Sequence, residues 1–185
     1  MQEADSLIAR RLAGEGQGTG AAVFAGLCRS AGRPAPWLAA SVGDYRLVAA
    51  RYRHGHWVID WSSTDQTYEA SGQTPQPGVP ADAPANMVGS GMVLPAQIHH
   101  SALHGRQRIV LASDGFFSVV PAEQLSALLD AEPTPLPADT AARWCALARE
   151  RGSNDDVTVV LVEHVVTLAW LQPSSLLALL WLGAR

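Results

Sequence analysis

The sequence contains no lysine; all 13 of its basic residues are arginine. That pattern reads as a coding bias and carries no functional weight. Cysteine is nearly as scarce: Cys28 sits in a strand-like run and Cys145 in a helix-like one. Two isolated cysteines make neither a disulfide framework nor a metal knuckle, and they suit a reducing cytoplasm. The N-terminus lacks the charged-then-apolar pattern of an export signal, so a cytoplasmic location is expected. A basic excess is missing too. The net charge is −4, which offers nucleic acid no basic surface. Charged residues are only 16% of the chain against 48% hydrophobic, which excludes a disordered chain and supplies a sizeable core. There are no internal repeats, and a length of 185 residues favours one domain.

Periodicity and turn residues give a coarse map. Residues 3–13 read as a helix, with Ala4, Leu7, Ile8, Arg11 and Leu12 on one side. Gly14, Gly16, Gly18 and Gly20 end it, and residues 21–28 read as a buried strand. Two strand-like runs flank Gly43-Asp44, which reads as a hairpin turn because glycine supplies positive φ. A second turn at His54-Gly55 leads into HWVIDW, so residues 37–61 are expected to form an antiparallel meander. Prolines and glycines between Ser71 and Pro84 predict a loop over residues 62–86. Residues 107–113 read as a strand ending at Asp114-Gly115. Pro121 opens a helix to about Asp130, and a second helix runs from Ala138 to Glu150, closed by Arg151-Gly152. VTVVLVEHVV is a strand. Hairpins followed by helices argue for an α+β layered sandwich.

Asp114 closes one strand and Asp155 precedes another. If those strands are antiparallel neighbours, both carboxylates emerge at one sheet edge, which suits a hard cation such as Mg²⁺ or Mn²⁺. Read singly, Ser-Asp-Gly and Ser-Asn-Asp-Asp are ordinary turns. Other signals carry less. Gly16-x-Gly18-x-x-Ala21 follows a helix and precedes a strand, the reverse of a dinucleotide loop. His99, His100 and His104 lie in a loop-like stretch without further ligands at zinc spacing, so solvated histidines are expected. Phe116 and Phe117 are expected in the core beneath a helix.

Six segments gain weight from their order: GTGAAVFAGL, LAASVGDYRLVAARY, SSTDQTYEA, NMVGSGM, RIVLASDGFFSVV and RGSNDDVTVVLV. Across roughly residues 18–163 they resemble the type 2C (PPM) metal-dependent serine/threonine protein phosphatases. The resemblance implies a four-layer αββα sandwich of antiparallel sheets. It implies hydrolysis of phosphoserine or phosphothreonine esters on protein substrates, dependent on Mn²⁺ or Mg²⁺. Asp114 matches an aspartate that binds the first of two core metals, and Asp155 matches the other late metal ligand. Asp44 matches a hairpin aspartate that serves a third metal, although Ser118 stands where that site often has a second aspartate. Gly43 and Gly115 match the turns that support these residues. Asp156 stands where the family usually has asparagine, and Gln66 where it often has histidine.

One family segment has no counterpart. The domain opens with an acidic strand and an Asp-Gly-x-Gly-Gly turn, whose aspartate bridges both metals, and nothing before Gly18 resembles them. Glu3, Asp5 and Glu15 lie on or just after a helix, the wrong context. Residues 1–163 therefore read as an N-terminally incomplete phosphatase domain. Weak metal binding and little catalysis by this chain alone are expected. The alternative is a catalytically dead, phosphatase-like binding or regulatory module. Residues 164–185 form an apolar tail, uncharged from Val165 to Ala184 but interrupted by Gln172-Pro173-Ser174-Ser175. A terminal helix packed on the domain is expected there in preference to a membrane span.

Overall fold

The computed structural model describes residues 2–12, 22–27, 36–89, 94–102, 105–165 and 178–179. The helices are α1 (Gln2–Leu12), α2 (Tyr68–Ser71), α3 (Asp114–Phe117), α4 (Ala122–Ala131) and α5 (Thr140–Glu150). The strands are β1 (Ala22–Leu27), β2 (Pro36–Val42), β3 (Arg46–Arg53), β4 (His56–Ser62), β5 (Gln97–Ala102), β6 (Gln107–Ala112), β7 (Val159–His164) and β8 (Ala178–Leu179). They form a three-stranded sheet, order β1-β2-β5, and a five-stranded sheet, order β4-β3-β6-β7-β8. All pairings are antiparallel. The fold is an α+β sandwich of the expected class.

Strand periodicity explains the layering, because successive side chains face opposite sides of a sheet. On β3 and β6, Leu47, Ile109 and Leu111 meet Trp37 and Ala39 of β2 between the two sheets. The alternate residues Val48, Ala50, Val110 and Ala112 pack against Leu125 and Leu129 of α4 and against Trp144 and Ala148 of α5. All six residues of β6 are buried, so this strand serves both cores. Arg108 lies on the helix side of β6 and is fully buried. Its Nε donates to Glu163 Oε1 at 3.0 Å, Nη1 to Leu129 O at 2.7 Å and Nη2 to Pro133 O at 2.6 Å. The guanidinium also lies 4.4 Å from the centre of the Trp57 ring.

The expected meander over 37–61 is only half present. β3 and β4 form its hairpin, with His54 and Gly55 at φ 51° and 91°. Both central turn residues thus take the positive φ that suits a tight hairpin. β2 instead joins the other sheet. Its two edges are occupied by β1 and β5, and those of β3 by β4 and β6, so β2 and β3 have no free edges to share. Gly43-Asp44 is therefore a corner between sheets, with Gly43 at φ 88°.

Further corrections concern individual segments. Gln97–Ala102, expected as loop, is strand β5 paired along β2. His99 is consequently not a solvated side chain: its ring stacks on Trp61 with centroids 3.9 Å apart. His100 is exposed, and His104 lies outside the described residues. The loop over 62–86 holds the short helix α2, capped by Thr67 Oγ1 accepting from Ala70 N, and a bridge from Thr67 to Pro84. On α1 Asp5 is buried and accepts from Gly89 N at 2.7 Å, while Leu7 is exposed. Phe116 lies in the core as expected. The glycines at 14, 16, 18 and 20, Cys28 and most of the tail lie outside the described residues. Within the tail, Ala178 and Leu179 form a strand on β7 rather than part of a helix. No helix among the described residues is long and apolar enough to cross a membrane.

Candidate functional site

β6 and β7 are antiparallel neighbours, with Ala112 opposite Val159. The chain leaves β6 through Ser113 into α3, whose first residue is Asp114, and enters β7 from a loop carrying Asp155. Both aspartates therefore stand at the same sheet edge. The β2–β3 corner adds Asp44, and the three line one cleft of about 330 Å³. Arg46, Asp65, Glu69, Asp82 and Phe117 complete most of its wall.

Short polar contacts hold the two carriers together. Ser113 is buried; its Oγ donates to Asp156 O at 2.9 Å and accepts from Thr158 N at 3.0 Å. Ser153 Oγ donates to Gly115 O at 2.7 Å. Gly115 backs directly onto the opposite loop, where a Cβ would lie 2.7 Å from Asp156 O and 3.3 Å from Asp155 Cβ. Only glycine permits that approach. A Gly115→Ala chain is expected to lose about 1–3 kcal/mol of stability, as overpacked sites do. Any stabilisation by added Mn²⁺ should fall as well, since the loop bearing Asp155 must move away. Thermal unfolding with and without Mn²⁺ measures both effects.

The charge balance of the cleft is strongly negative. Burial raises the Asp44 carboxyl above its ordinary value, and the charge of Asp114 raises it further. Partial burial also raises Asp114, with Asp155 adding to the shift and the Gly115 N–H opposing it. The Tyr45 phenol is raised by burial and by the same aspartates. Arg46 does not relieve this repulsion, because it is committed to Asp65. Its Nε donates to Asp65 Oδ1 at 3.0 Å, its Nη2 donates to Asp65 Oδ2, and its guanidinium lies 4.6 Å from the centre of the Phe117 ring.

These oxygen donors suit a hard divalent cation, which would lower the mutual repulsion of the aspartates. Among the described residues, no group of three His, Cys, Asp or Glu side chains stands ready to hold a metal ion. Asp114 and Asp155 are the residues that would hold such a cation, with water completing its oxygen shell.

Arg46 and Asp65 were not singled out from the sequence. Arg46 and Asp65 are 19 residues apart and meet only through the fold. Phe117, expected in the core with Phe116, packs against that core while partly buried and also lines the cleft. Gln66, noted only as a departure from histidine, proves to be hydrogen-bonded to the Asp44 corner.

No protein-family model and no curated protein matches this chain. Solved structures do. PppA of Pseudomonas aeruginosa, described as a key regulatory component of T6SS, superposes with a TM-score of 0.64 at 18% identity, over 86% of this chain and 64% of that one. The catalytic domain of the serine/threonine protein phosphatase PstP, solved with two manganese ions, gives a TM-score of 0.61 at 21% identity, over 88% and 67%. The serine/threonine phosphatase Stp1 from Staphylococcus aureus gives 0.65 at 18%, over 90% and 65%. The chain thus spans about two thirds of the length of these neighbours. It has the fold of the type 2C serine/threonine phosphatases.

Proposed function

We propose that this chain carries a cleft for phosphomonoester hydrolysis on phosphoserine or phosphothreonine proteins, served by Mn²⁺ or Mg²⁺ held weakly. The observation that carries the reading is the meeting of Asp44, Asp114 and Asp155 in one cleft of this fold. Asp114 and Asp155 are the cation's ligands, and Asp44 supports a further, looser position. A bound divalent ion supplies a Lewis acid and an activated water. The chain's own residues position the carboxylates: Gly115 sets their approach, Ser113 and Ser153 tie the two loops, and the Arg46–Asp65 pair braces the wall.

Catalysis by these residues alone is weak in this reading, because no bridging carboxylate has been identified in the sequence. A good leaving group tolerates that deficit, and a serine ester does not. Slow manganese-dependent hydrolysis of p-nitrophenyl phosphate is therefore expected, with phosphopeptide turnover near background. Supplying a segment with an acidic strand and an Asp-Gly-x-Gly-Gly turn should raise phosphopeptide turnover by orders of magnitude, and Asp155→Asn should remove the gain. Robust phosphopeptide turnover by the chain as it stands, lost on Asp114→Asn, would refute the weak site. Failure to hydrolyse either substrate, with a phosphoprotein still bound, would favour the phosphatase-like binding module.

A further inference from the structure

Gln66 sits outside the cleft wall but touches the corner that presents Asp44. Its Oε1 accepts from Gly43 N at 3.0 Å and from Asn86 Nδ2 at 2.8 Å. Its backbone N–H donates to Gly43 O at 2.8 Å, and its carbonyl accepts from Ala85 N at 2.7 Å. Asn86 is buried and fixed in turn: Oδ1 accepts from Leu94 N at 2.8 Å, and Nδ2 reaches Leu94 O at 3.3 Å. Gly43 is thus gripped on both its N–H and its C=O by one residue 23 positions away. The corner needs such a grip. Gly43 has the positive φ that favours glycine, the residue with most backbone freedom to lose, and its neighbour is the half-buried Asp44.

From this geometry we infer that Gln66, held by Asn86, is a positioning residue that fixes Asp44 and so sets the affinity of the further, looser cation position that Asp44 supports. The inference rests on the cation reading of the cleft and adds a determinant outside it. A side-chain amide suits the task. One carbonyl oxygen accepts two N–H groups, and no charge is added beside Asp44. Residues that orient a metal ligand without touching the ion typically govern affinity by about 10–100-fold.

The test uses the whole chain and Mn²⁺ alone. Gln66→Met keeps the length of the side chain and removes the acceptor. Calorimetric titration of Mn²⁺ into wild type, Gln66→Met and Leu129→Ala separates positioning from general stability, because Leu129 lies in the helix-side core remote from the corner. Exchange of the Gly43 amide with solvent, followed by NMR, reports the grip directly. The expected result is about tenfold weaker Mn²⁺ binding at the looser position and fast Gly43 exchange in Gln66→Met, with neither change in Leu129→Ala. Gln66→Glu, which retains the acceptor, should restore slow Gly43 exchange. Unchanged Mn²⁺ affinity in Gln66→Met, or an equal loss in Leu129→Ala, would overturn the inference while leaving the cation reading intact. Absence of Mn²⁺ binding by wild type would instead overturn the cation reading, and the inference with it.

Discussion

Replacing Arg108 with methionine is expected to destabilise the protein by about 3–5 kcal/mol, the range for removing one partner of a buried ion pair. For a domain of this size that lowers the unfolding midpoint by roughly 10 °C. The reason is what stays behind. Glu163 would remain buried with one hydrogen bond, from Leu136 N at 2.8 Å. Leu129 O would keep only the 3.3 Å bond from Glu132 N, and Pro133 O, just beyond α4, would lose its Arg108 donor. Glu163→Leu should be similarly severe, because it leaves the guanidinium uncompensated. The double variant Arg108→Met, Glu163→Leu should recover part of the loss and not all of it, since Pro133 O is still without the guanidinium donor. Thermal or urea unfolding of the three variants checks this. A double variant no better than the worse single one would show that the ion pair contributes nothing of its own.

Asp114→Asn is expected to act in two opposite directions. In metal-free buffer at neutral pH it should raise the unfolding midpoint, because an ionised carboxylate is disfavoured at that position. The sign follows from linkage. Asp44 and Asp114 both have folded-state values raised above the ordinary 3.8. The stability contributed by their protons is fully present below 3.8 and is lost as pH rises through the raised values. Metal-free wild type should therefore lose stability on going from mildly acidic to neutral pH, and Asp114→Asn should flatten that slope. With Mn²⁺ present the order reverses. Wild type should gain stability in proportion to the logarithm of free Mn²⁺ once the proposed site fills, and the variant should gain almost nothing. Its Mn²⁺ affinity should fall more than about a hundredfold, beyond the 10–100-fold usual for outer partners. A metal-free Asp114→Asn protein that unfolds at a lower temperature than wild type would refute the account of the cleft's charge.

Much of this was legible in the sequence, and for local reasons. The short apolar run in RLVAARYR and the turn chemistry of His54-Gly55 encode the β3–β4 hairpin within a few residues. Ser-Asp-Gly after a continuous apolar run marks a strand end that carries a carboxylate. The destination of β2 could not be read the same way. A Gly-Asp pair serves a hairpin or a corner equally well, and the choice was made by β5, whose residues 97–102 pair with 36–41 across more than fifty positions of chain. β5 itself was hidden because Gln-Ile-His-His-Ser-Ala has a polar pattern. Its His99 is accommodated between sheets only because Trp37 and Trp61 arrive from other strands. The same holds at the cleft. Asp114 and Asp155 announce themselves by their strand ends. The Arg46–Asp65 pair and the Gln66–Asn86 contact exist only once residues from different elements have met.

The burial of β6 on both faces has a consequence for how the molecule opens. Its amides are shared with β3 on one side and β7 on the other, and its side chains belong to both cores. Such a strand exchanges its amide protons through the largest openings a domain undergoes, those that approach global unfolding. Asp114 follows that strand after a single residue. The carboxylate at the heart of the cleft is thus moored to the slowest-breathing segment, whereas Asp44 and Asp155 reach it from a corner and a loop. Fluctuations that loosen the cleft should begin on their side, with Asp114 as the stationary jaw.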